Sequence, residues 1–250
     1  MSFERAAELA FRGHFGAAIA AADRSASPSD SAWIRAYVDA ARGRFPRAER
    51  ALRPLSSRAA SPATRSRAAT TLGSVLRQTG RHAEARDVER AALRRERAPG
   101  MRAHLLIGLV ADAVGLGDLR AVDAAIRRVG PRPAGGWRAL VRLRWVRCER
   151  ELLAGRPSAA VSHARRALAI AERAGARRHE AKSLLFLGAA LLDAAGRESS
   201  SYRAAARGRE AGRALRRARA VAGRLGAAPI AVVAEQLSQG LGRVGRMPRA

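Results

Sequence analysis

The sequence has very little cysteine and no long apolar segment, and both absences exclude whole classes of protein. Cys148 is the single cysteine among 250 residues, so neither an intrachain disulfide nor a cluster of thiolate metal ligands can form. No stretch approaches the roughly 20 apolar residues that a membrane-spanning helix needs. The first residues include Glu4 and Glu8, where a secretory signal would have basic residues and an apolar segment. These absences predict a cytoplasmic protein without a membrane partner.

Residues arranged for catalysis are also missing. The five histidines are scattered along the chain, as His14, His82, His104, His163 and His179. No pair of them has the spacing of a metal site. The Gly115-Leu116-Gly117 segment lacks the third glycine and the preceding strand of a dinucleotide-binding turn. Cys148 has apolar helical neighbours and is predicted to be a buried small hydrophobic residue. We therefore expect a protein that is not an enzyme and that needs no metal or cofactor.

What the chain does have is a glycine that recurs at a nearly constant interval. Five of these glycines are followed, five residues later, by alanine or valine: Gly13 and Ala18, Gly43 and Ala48, Gly80 and Ala85, Gly117 and Val122, Gly155 and Ala160. The glycines are 30, 37, 37 and 38 residues apart, and Gly196 follows after another 41. A period of this length is typical of helical repeat proteins. Each glycine is therefore predicted to mark the turn of a helical hairpin.

The third repeat is the clearest example of the predicted hairpin. Residues 67–79 place apolar or small side chains at steps of three and four, the pattern of a helix with one buried face. Gly80 then ends this helix, because glycine readily adopts the left-handed conformation. A second helical stripe begins at Ala85. Small residues at Gly73, Ala85 and Ala92 would let the two helices approach closely. Ala85 and, two repeats later, Ala160 are predicted to be buried where paired helices cross.

Prolines are predicted to mark the turns between successive hairpins, because proline cannot continue a helix. They occur at Pro28, Pro62, Pro99, Pro131, Pro133 and Pro229. The fifth repeat has no such proline and is predicted to end at Gly175.

The Leu72-Gly73 pair, the Gly80-Arg81 turn, Ala85 and Ala92 have the spacing of the tetratricopeptide repeat (TPR). The chain resembles that family over five units that cover most of residues 2–175. The resemblance implies an all-α fold, an α-solenoid of about six antiparallel helical hairpins with a C-terminal capping helix. The large aromatic residue that the family usually has on each first helix is often leucine or alanine here.

A narrower resemblance covers residues 165–187, which are similar to the longer-period repeats of bacterial regulators and peptide sensors. Within this region, residues 165–176 agree with residues 216–227 at eight of twelve positions, at an offset of 51. The offset is ten residues longer than the interval from Gly155 to Gly196, which predicts an insertion.

The insertion is expected around residues 198–207, where it either breaks the chain locally or lengthens a helix. We expect one solenoid domain over residues 1–239, whose final capping helix covers 228–239. A flexible basic tail is predicted for residues 240–250.

In TPR arrays the first helix of each hairpin lines a concave groove, and polar or aromatic residues there hold the ligand peptide. The resemblance nominates the following groove residues: Trp33, Tyr37, Arg67, Thr70, Ser74, Arg77, Gln78, His104, Arg142, Trp145 and Glu149. Trp33 and Trp145 also suit packing in the core. Arg67, Arg77 and Arg142 suit either carboxylate binding through paired hydrogen bonds or exposure to water.

The charge is strongly positive and unevenly distributed. The formal net charge is +27, and Lys182 is the only lysine among 48 basic residues. Such an arginine excess is typical of a high-GC bacterial genome, although coding bias does not explain the surplus of basic over acidic residues. Residues 1–125 contain 21 basic and 13 acidic residues, whereas residues 126–250 contain 27 and 8. This gradient keeps a polyanionic partner among the hypotheses.

The densest basic segment places Arg209, Arg213, Arg216 and Arg217 on one face of a predicted helix. This face either contacts an anionic partner such as nucleic acid or is exposed to water. Only Tyr202 lies nearby to stack on a base, which disfavours nucleic acid.

The function hypothesis is therefore a non-catalytic scaffold or adaptor that binds a protein or peptide, of acidic character, in its groove. Two alternatives stay open. One is a detached sensor domain of a bacterial transcriptional regulator, and the other is a nucleic-acid-associated protein.

Overall fold

The computed structural model describes residues 3–25, 27–59 and 61–244, and this part of the chain forms thirteen α-helices and no strand. The helices are α1 (Phe3–Arg12), α2 (Phe15–Ser25), α3 (Pro28–Ala41), α4 (Phe45–Arg58), α5 (Pro62–Gln78), α6 (His82–Arg95), α7 (Pro99–Gly115), α8 (Leu119–Val129), α9 (Gly136–Leu153), α10 (Pro157–Arg173), α11 (Arg177–Gly196), α12 (Ser201–Leu225) and α13 (Ala228–Val244). The predicted all-α class is confirmed.

The predicted glycine turns are confirmed at five positions. Gly13, Gly43, Gly80, Gly117 and Gly155 all have positive φ, between 70° and 99°, and each separates two helices. Side chains other than glycine rarely adopt this conformation. The turn expected near Gly196 is built differently, because Gly196 is the last residue of α11 and residues 197–200 make the connection.

Helix starts also follow the sequence signals. Pro28, Pro62 and Pro99 occupy the first positions of α3, α5 and α7, where the missing N–H costs nothing. Pro131 and Pro133 lie in the loop between α8 and α9. Each of these five prolines therefore lies at or next to a connection between hairpins, as predicted.

The insertion lengthens a helix. Ser200 caps α12 by accepting a hydrogen bond from the Arg203 N–H, and the helix then continues for 25 residues. The predicted capping helix is present as α13, but it continues to Val244 and not to residue 239. Glycine in a helix costs only about 1 kcal/mol, so Gly240 and Gly242 do not stop it. The rest of the predicted tail, residues 245–250, lies outside the described residues.

Consecutive helices pack against each other, and each odd-numbered helix also contacts the next odd-numbered one. The small residues that follow the turn glycines lie at these packed surfaces, where a large side chain would separate the helices. Ala18, Ala48, Ala85, Val122 and Ala160 are all fully buried. The predicted burial of Ala85 and Ala160 is thus confirmed.

Two tryptophans each join two neighbouring odd-numbered helices through a side-chain hydrogen bond. Trp33 of α3 donates its indole N–H to Thr71 Oγ1 of α5 at 3.1 Å. Trp145 of α9 donates to Ser183 Oγ of α11 at 2.9 Å. Both pairs are 38 residues apart, so the sequence period reappears as a structural period.

The first helix also contacts a helix far along the chain, because α1 packs against α11. The imidazole Nδ1–H of His179 donates to the Phe11 carbonyl oxygen at 3.0 Å, and Leu225 lies against Gly13. The row of odd-numbered helices therefore turns back on itself and surrounds an interior space.

No helix in the described part of the chain is long and apolar enough to cross a membrane.

Candidate functional site: a cationic central cavity

The odd-numbered helices from α3 to α13 surround a cavity of about 460 Å³. The volume is within the range of cavities that hold one small ligand. Eight of the eleven nominated groove residues line it: Tyr37, Thr70, Ser74, Arg77, Gln78, Arg142, Trp145 and Glu149. The cavity is therefore lined mainly by odd-numbered helices.

The other three nominated residues have different surroundings. Trp33 is buried among the rings of Phe3, Phe11 and Tyr37, which makes it a packing residue. Arg67 binds Glu4 at 2.6 Å and covers the Phe3 ring. His104 is buried, and its Nδ1 lies 3.0 Å from Arg142 Nη1, behind the cavity wall.

The main feature of the cavity is a group of four cations, Arg138 and Arg142 on α9 and Arg178 and Lys182 on α11. Within each helix the two residues are four apart and therefore lie on one face. None of the four forms an ion pair with a carboxylate in the described part of the chain. We call these residues the cationic cluster.

Aromatic rings and one imidazole take the place of carboxylates around the cluster. The Arg138 guanidinium carbon lies 3.2 Å from the centre of the Phe11 ring, and Arg178 lies 5.7 Å from the centre of Tyr37. The Lys182 ammonium lies 4.7 Å from the centre of the Trp145 ring. Cation–π contacts of this kind recover only part of the charge desolvation. The buried Nε–H groups of Arg138 and Arg178 have no hydrogen-bond partner in the described residues.

Burial and mutual repulsion lower the pKa of three members of the cluster. Burial, with neighbouring cations, lowers the pKa of Arg138 to about 9 and that of Arg142 to about 10. Burial likewise lowers the pKa of Lys182 to about 8, although Glu149 opposes this shift. All three remain charged at neutral pH. A bound anion would relieve both the repulsion and the desolvation, so the site is suited to an anionic ligand.

Arg77 also lines the cavity, but its donors are used inside the protein. Its guanidinium lies 3.1 Å from both oxygens of Glu89 and 2.8 Å from Asp112 Oδ1. Both carboxylates are completely buried. Burial raises the pKa of Glu89 to about 7, since the attraction of Arg77 only partly opposes it. This network engages the donors of Arg77 within the protein. Of the charged residues that line the cavity in the described part of the chain, the cationic cluster then faces one further carboxylate, Glu149, which attracts Lys182 but forms no ion pair with it.

Glu89 reaches Arg77 from the outer helix α6 through a gap between two glycines. A methyl group added at Gly73 would lie 2.5 Å from Glu89 Oε1, and one at Gly108 would lie 2.0 Å from Oε2. Gly73 was predicted to allow close helix approach, and what approaches it is this carboxylate. The two glycines are therefore required for the charge network.

Three members of the cationic cluster were not predicted, namely Arg138, Arg178 and Lys182. The repeat period of 37 residues was a signal that could have found Lys182. One period after Arg142, Trp145 and Glu149 come His179, Lys182 and Phe186. All three of these later residues line the cavity. Arg138 and Arg178 each lie four residues before a cluster member and share its helix face.

The basic face predicted on the long C-terminal helix lies on α12, outside the cavity. Arg209, Arg213, Arg216 and Arg217 are exposed there. Arg217 binds Glu172 and Glu180, each at 2.7 Å, so it is engaged within the protein.

Cys148 is fully buried, as predicted, and burial raises the pKa of its thiol to about 12. In the described residues no three His, Cys, Asp or Glu side chains are grouped so that they could hold a metal ion.

The chain matches no protein-family model and no curated protein. Its function is therefore argued from the geometry of the cavity and of the helix faces.

Proposed function

We propose that this protein is a non-catalytic binding module, built as a TPR-like solenoid, whose central cavity receives the acidic part of a protein or peptide partner. The observation that carries the proposal is the cationic cluster, four cations on neighbouring inner helices that form no ion pair with a carboxylate among the residues that the structure describes. Neighbouring cations of like sign that are partly removed from water destabilise a folded protein, and an anionic ligand would relieve that cost.

The position of the cluster agrees with the resemblance. Groove-facing residues of TPR arrays lie on the first helix of each hairpin, and the cluster lies on α9 and α11, the first helices of two successive hairpins. Trp145 and Phe186 add apolar surface beside it. A peptide with acidic and apolar side chains would complement both.

The test compares two variants with the same loss of charge. Arg138→Gln/Arg142→Gln removes half of the cluster, whereas Arg209→Gln/Arg213→Gln removes two exposed arginines of α12. Binding of a dye-labelled peptide of alternating Glu and Leu is measured by fluorescence anisotropy at physiological salt. We expect the cavity variant to lose about tenfold or more in affinity and the α12 variant to bind like wild type. Equal weakening in both variants would show that binding is nonspecific and would refute the proposal.

A sensor role is a second candidate, favoured by the contact of α1 with α11. Arg138 covers Phe11 and Arg178 covers Tyr37, so two cluster residues also hold the N-terminal helices in place. A ligand that engages these arginines would change the contact between the two ends of the array. Hydrogen exchange of α1 amides, with and without ligand, would detect the change.

The nucleic-acid alternative rests on Arg209, Arg213 and Arg216, which are exposed on α12 without an ion pair in the described part of the chain. If it were correct, the logarithm of the affinity for duplex DNA would fall with the logarithm of salt concentration by about 0.9 per phosphate contact. The triple change to Gln would then abolish binding.

A further inference from the structure

The size of the cavity limits what can enter it. Its volume of about 460 Å³ is within the range of pockets that hold one small molecule. The contact of α1 with α11 turns the array of helices back on itself around this space. The cavity therefore suits a small molecule or a short chain end.

The wall of the cavity has a cationic part and an apolar part. On α11, Arg178 and Lys182 are followed by Leu185 and Phe186. At 1.5 Å per residue, Arg178 and Phe186 are about 12 Å apart along the helix. On the facing helices, α7 contributes Ile107 and α13 contributes Val233. A ligand of modest length would reach both parts.

One residue of the apolar part is exposed to solvent, since Val233 lines the cavity and is 39% exposed. Lys182 lies between the two parts, with its ammonium 4.7 Å from the centre of Trp145 and 5.7 Å from the centre of Phe186. A ligand that spans both parts would contact these rings.

We infer that the cavity binds a small amphipathic organic anion, with a carboxylate or phosphate group held by Arg138, Arg142 and Arg178 and an apolar body against Ile107, Phe186 and Val233. The inference rests on the proposed function in using the same cavity, and it narrows the ligand to a small molecule that matches the cavity in size, charge and apolar surface. The charge complements the cluster, and the apolar body replaces water along the uncharged wall.

The test uses the fluorescent aromatic sulfonate 1-anilinonaphthalene-8-sulfonate (ANS) as a probe, with octanoate, acetate and octanol as competitors. Octanoate has both the charge and the apolar body, acetate has only the charge, and octanol has only the body. We expect one ANS molecule to bind per chain and octanoate to displace it at concentrations at least about tenfold lower than either partial analogue requires.

Variants locate the binding. Arg138→Gln/Arg142→Gln should raise the Kd for ANS and octanoate about tenfold or more, and Arg209→Gln/Arg213→Gln should leave both unchanged. Circular dichroism would check the folding of the cavity variant, and because Arg138 also covers Phe11, hydrogen exchange of α1 amides would check that α1 stays in place. Arg142→Gln alone, which leaves the contact with Phe11 intact, should raise both Kd values in the same direction. Val233→Gln serves as a second variant, which should weaken octanoate but not acetate.

The possible results separate this inference from the proposed function. If the Glu/Leu peptide binds through the cluster but octanoate does not bind, the proposed function stands and this inference is wrong. If octanoate binds equally well to wild type and the cavity variant, the site assignment is wrong. If neither peptide nor octanoate binds, both proposals fail.

Discussion

Replacing Gly108 by alanine should destabilise the protein, although the same change in an ordinary helix stabilises it. Gly108 lies inside α7, where alanine is favoured over glycine by about 1 kcal/mol. The added methyl group, however, would lie 2.0 Å from Glu89 Oε2 and 2.4 Å from Glu89 Cδ. The carboxylate must move away, and its bonds to Arg77 then break.

The magnitude follows from the burial of the network. Glu89 is completely buried, and Arg77 retains 11% side-chain exposure. Breaking such a pair costs about 3–5 kcal/mol, so the net loss expected for Gly108→Ala is about 2–4 kcal/mol after the helix preference is subtracted. Urea unfolding followed by circular dichroism would measure it, through the midpoint and the extrapolated free energy of unfolding.

The control is Gly223→Ala in α12, where nothing lies within 4 Å of the added methyl group. It should stabilise the protein by about 0.5–1 kcal/mol. A second control repeats Gly108→Ala in a Glu89→Ala background, where no carboxylate is left to displace, so the glycine change should no longer destabilise. An equal cost of Gly108→Ala in both backgrounds would refute the reasoning, since the clash with Glu89 would not be the cause.

Three further predictions concern packing, protonation and the outer face. Ala85→Leu and Ala160→Leu each overpack a fully buried site and should each cost about 1–3 kcal/mol in thermal or urea unfolding; unchanged melting temperatures would contradict this. The folded-state pKa of Lys182 is about 8, below its ordinary value of 10.5, so with rising pH the folded protein loses this proton before the unfolded chain does. The contribution of Lys182 to the free energy of unfolding therefore rises between pH 8 and 10.5. Lys182→Gln should therefore be more stable than wild type at pH 7 and lose that advantage across this window, whereas a constant difference would show that Lys182 does not titrate there. Arg217→Gln should lower the free energy of unfolding by less than about 1 kcal/mol, because Arg217 is about half exposed in its pair with Glu180. Arg213→Gln should leave the free energy of unfolding unchanged. A larger loss for Arg213→Gln than for Arg217→Gln would contradict the ion pair of Arg217.

Much of the fold was predictable because it depends on local signals. A positive φ at Gly80 or Gly155 follows from the chemistry of glycine alone, and the apolar stripe on either side defines the buried face of each helix. Ala85 and Ala160 could be predicted as buried because they recur at the same step from those glycines. The sequence did not decide the length of α12, since residues 198–207 could either break the chain locally or lengthen a helix.

The candidate site was only partly predictable, because its composition depends on contacts between distant segments. Arg77 was nominated as a ligand-binding residue, but nothing in the sequence indicated that Glu89 would reach it between Gly73 and Gly108. Arg138 was not nominated at all, and its partner Phe11 lies on the first helix.

The sequence by itself determined the helices, their turns and the pairing of neighbours, because these follow from spacing within one or two repeats. Only the tertiary structure decided that α1 meets α11 and that four cations face one central cavity. The physical reason is that each repeat rotates slightly relative to the one before it. The sum of these rotations decides whether the ends of the array meet, and small differences in side-chain packing at every interface contribute to that sum.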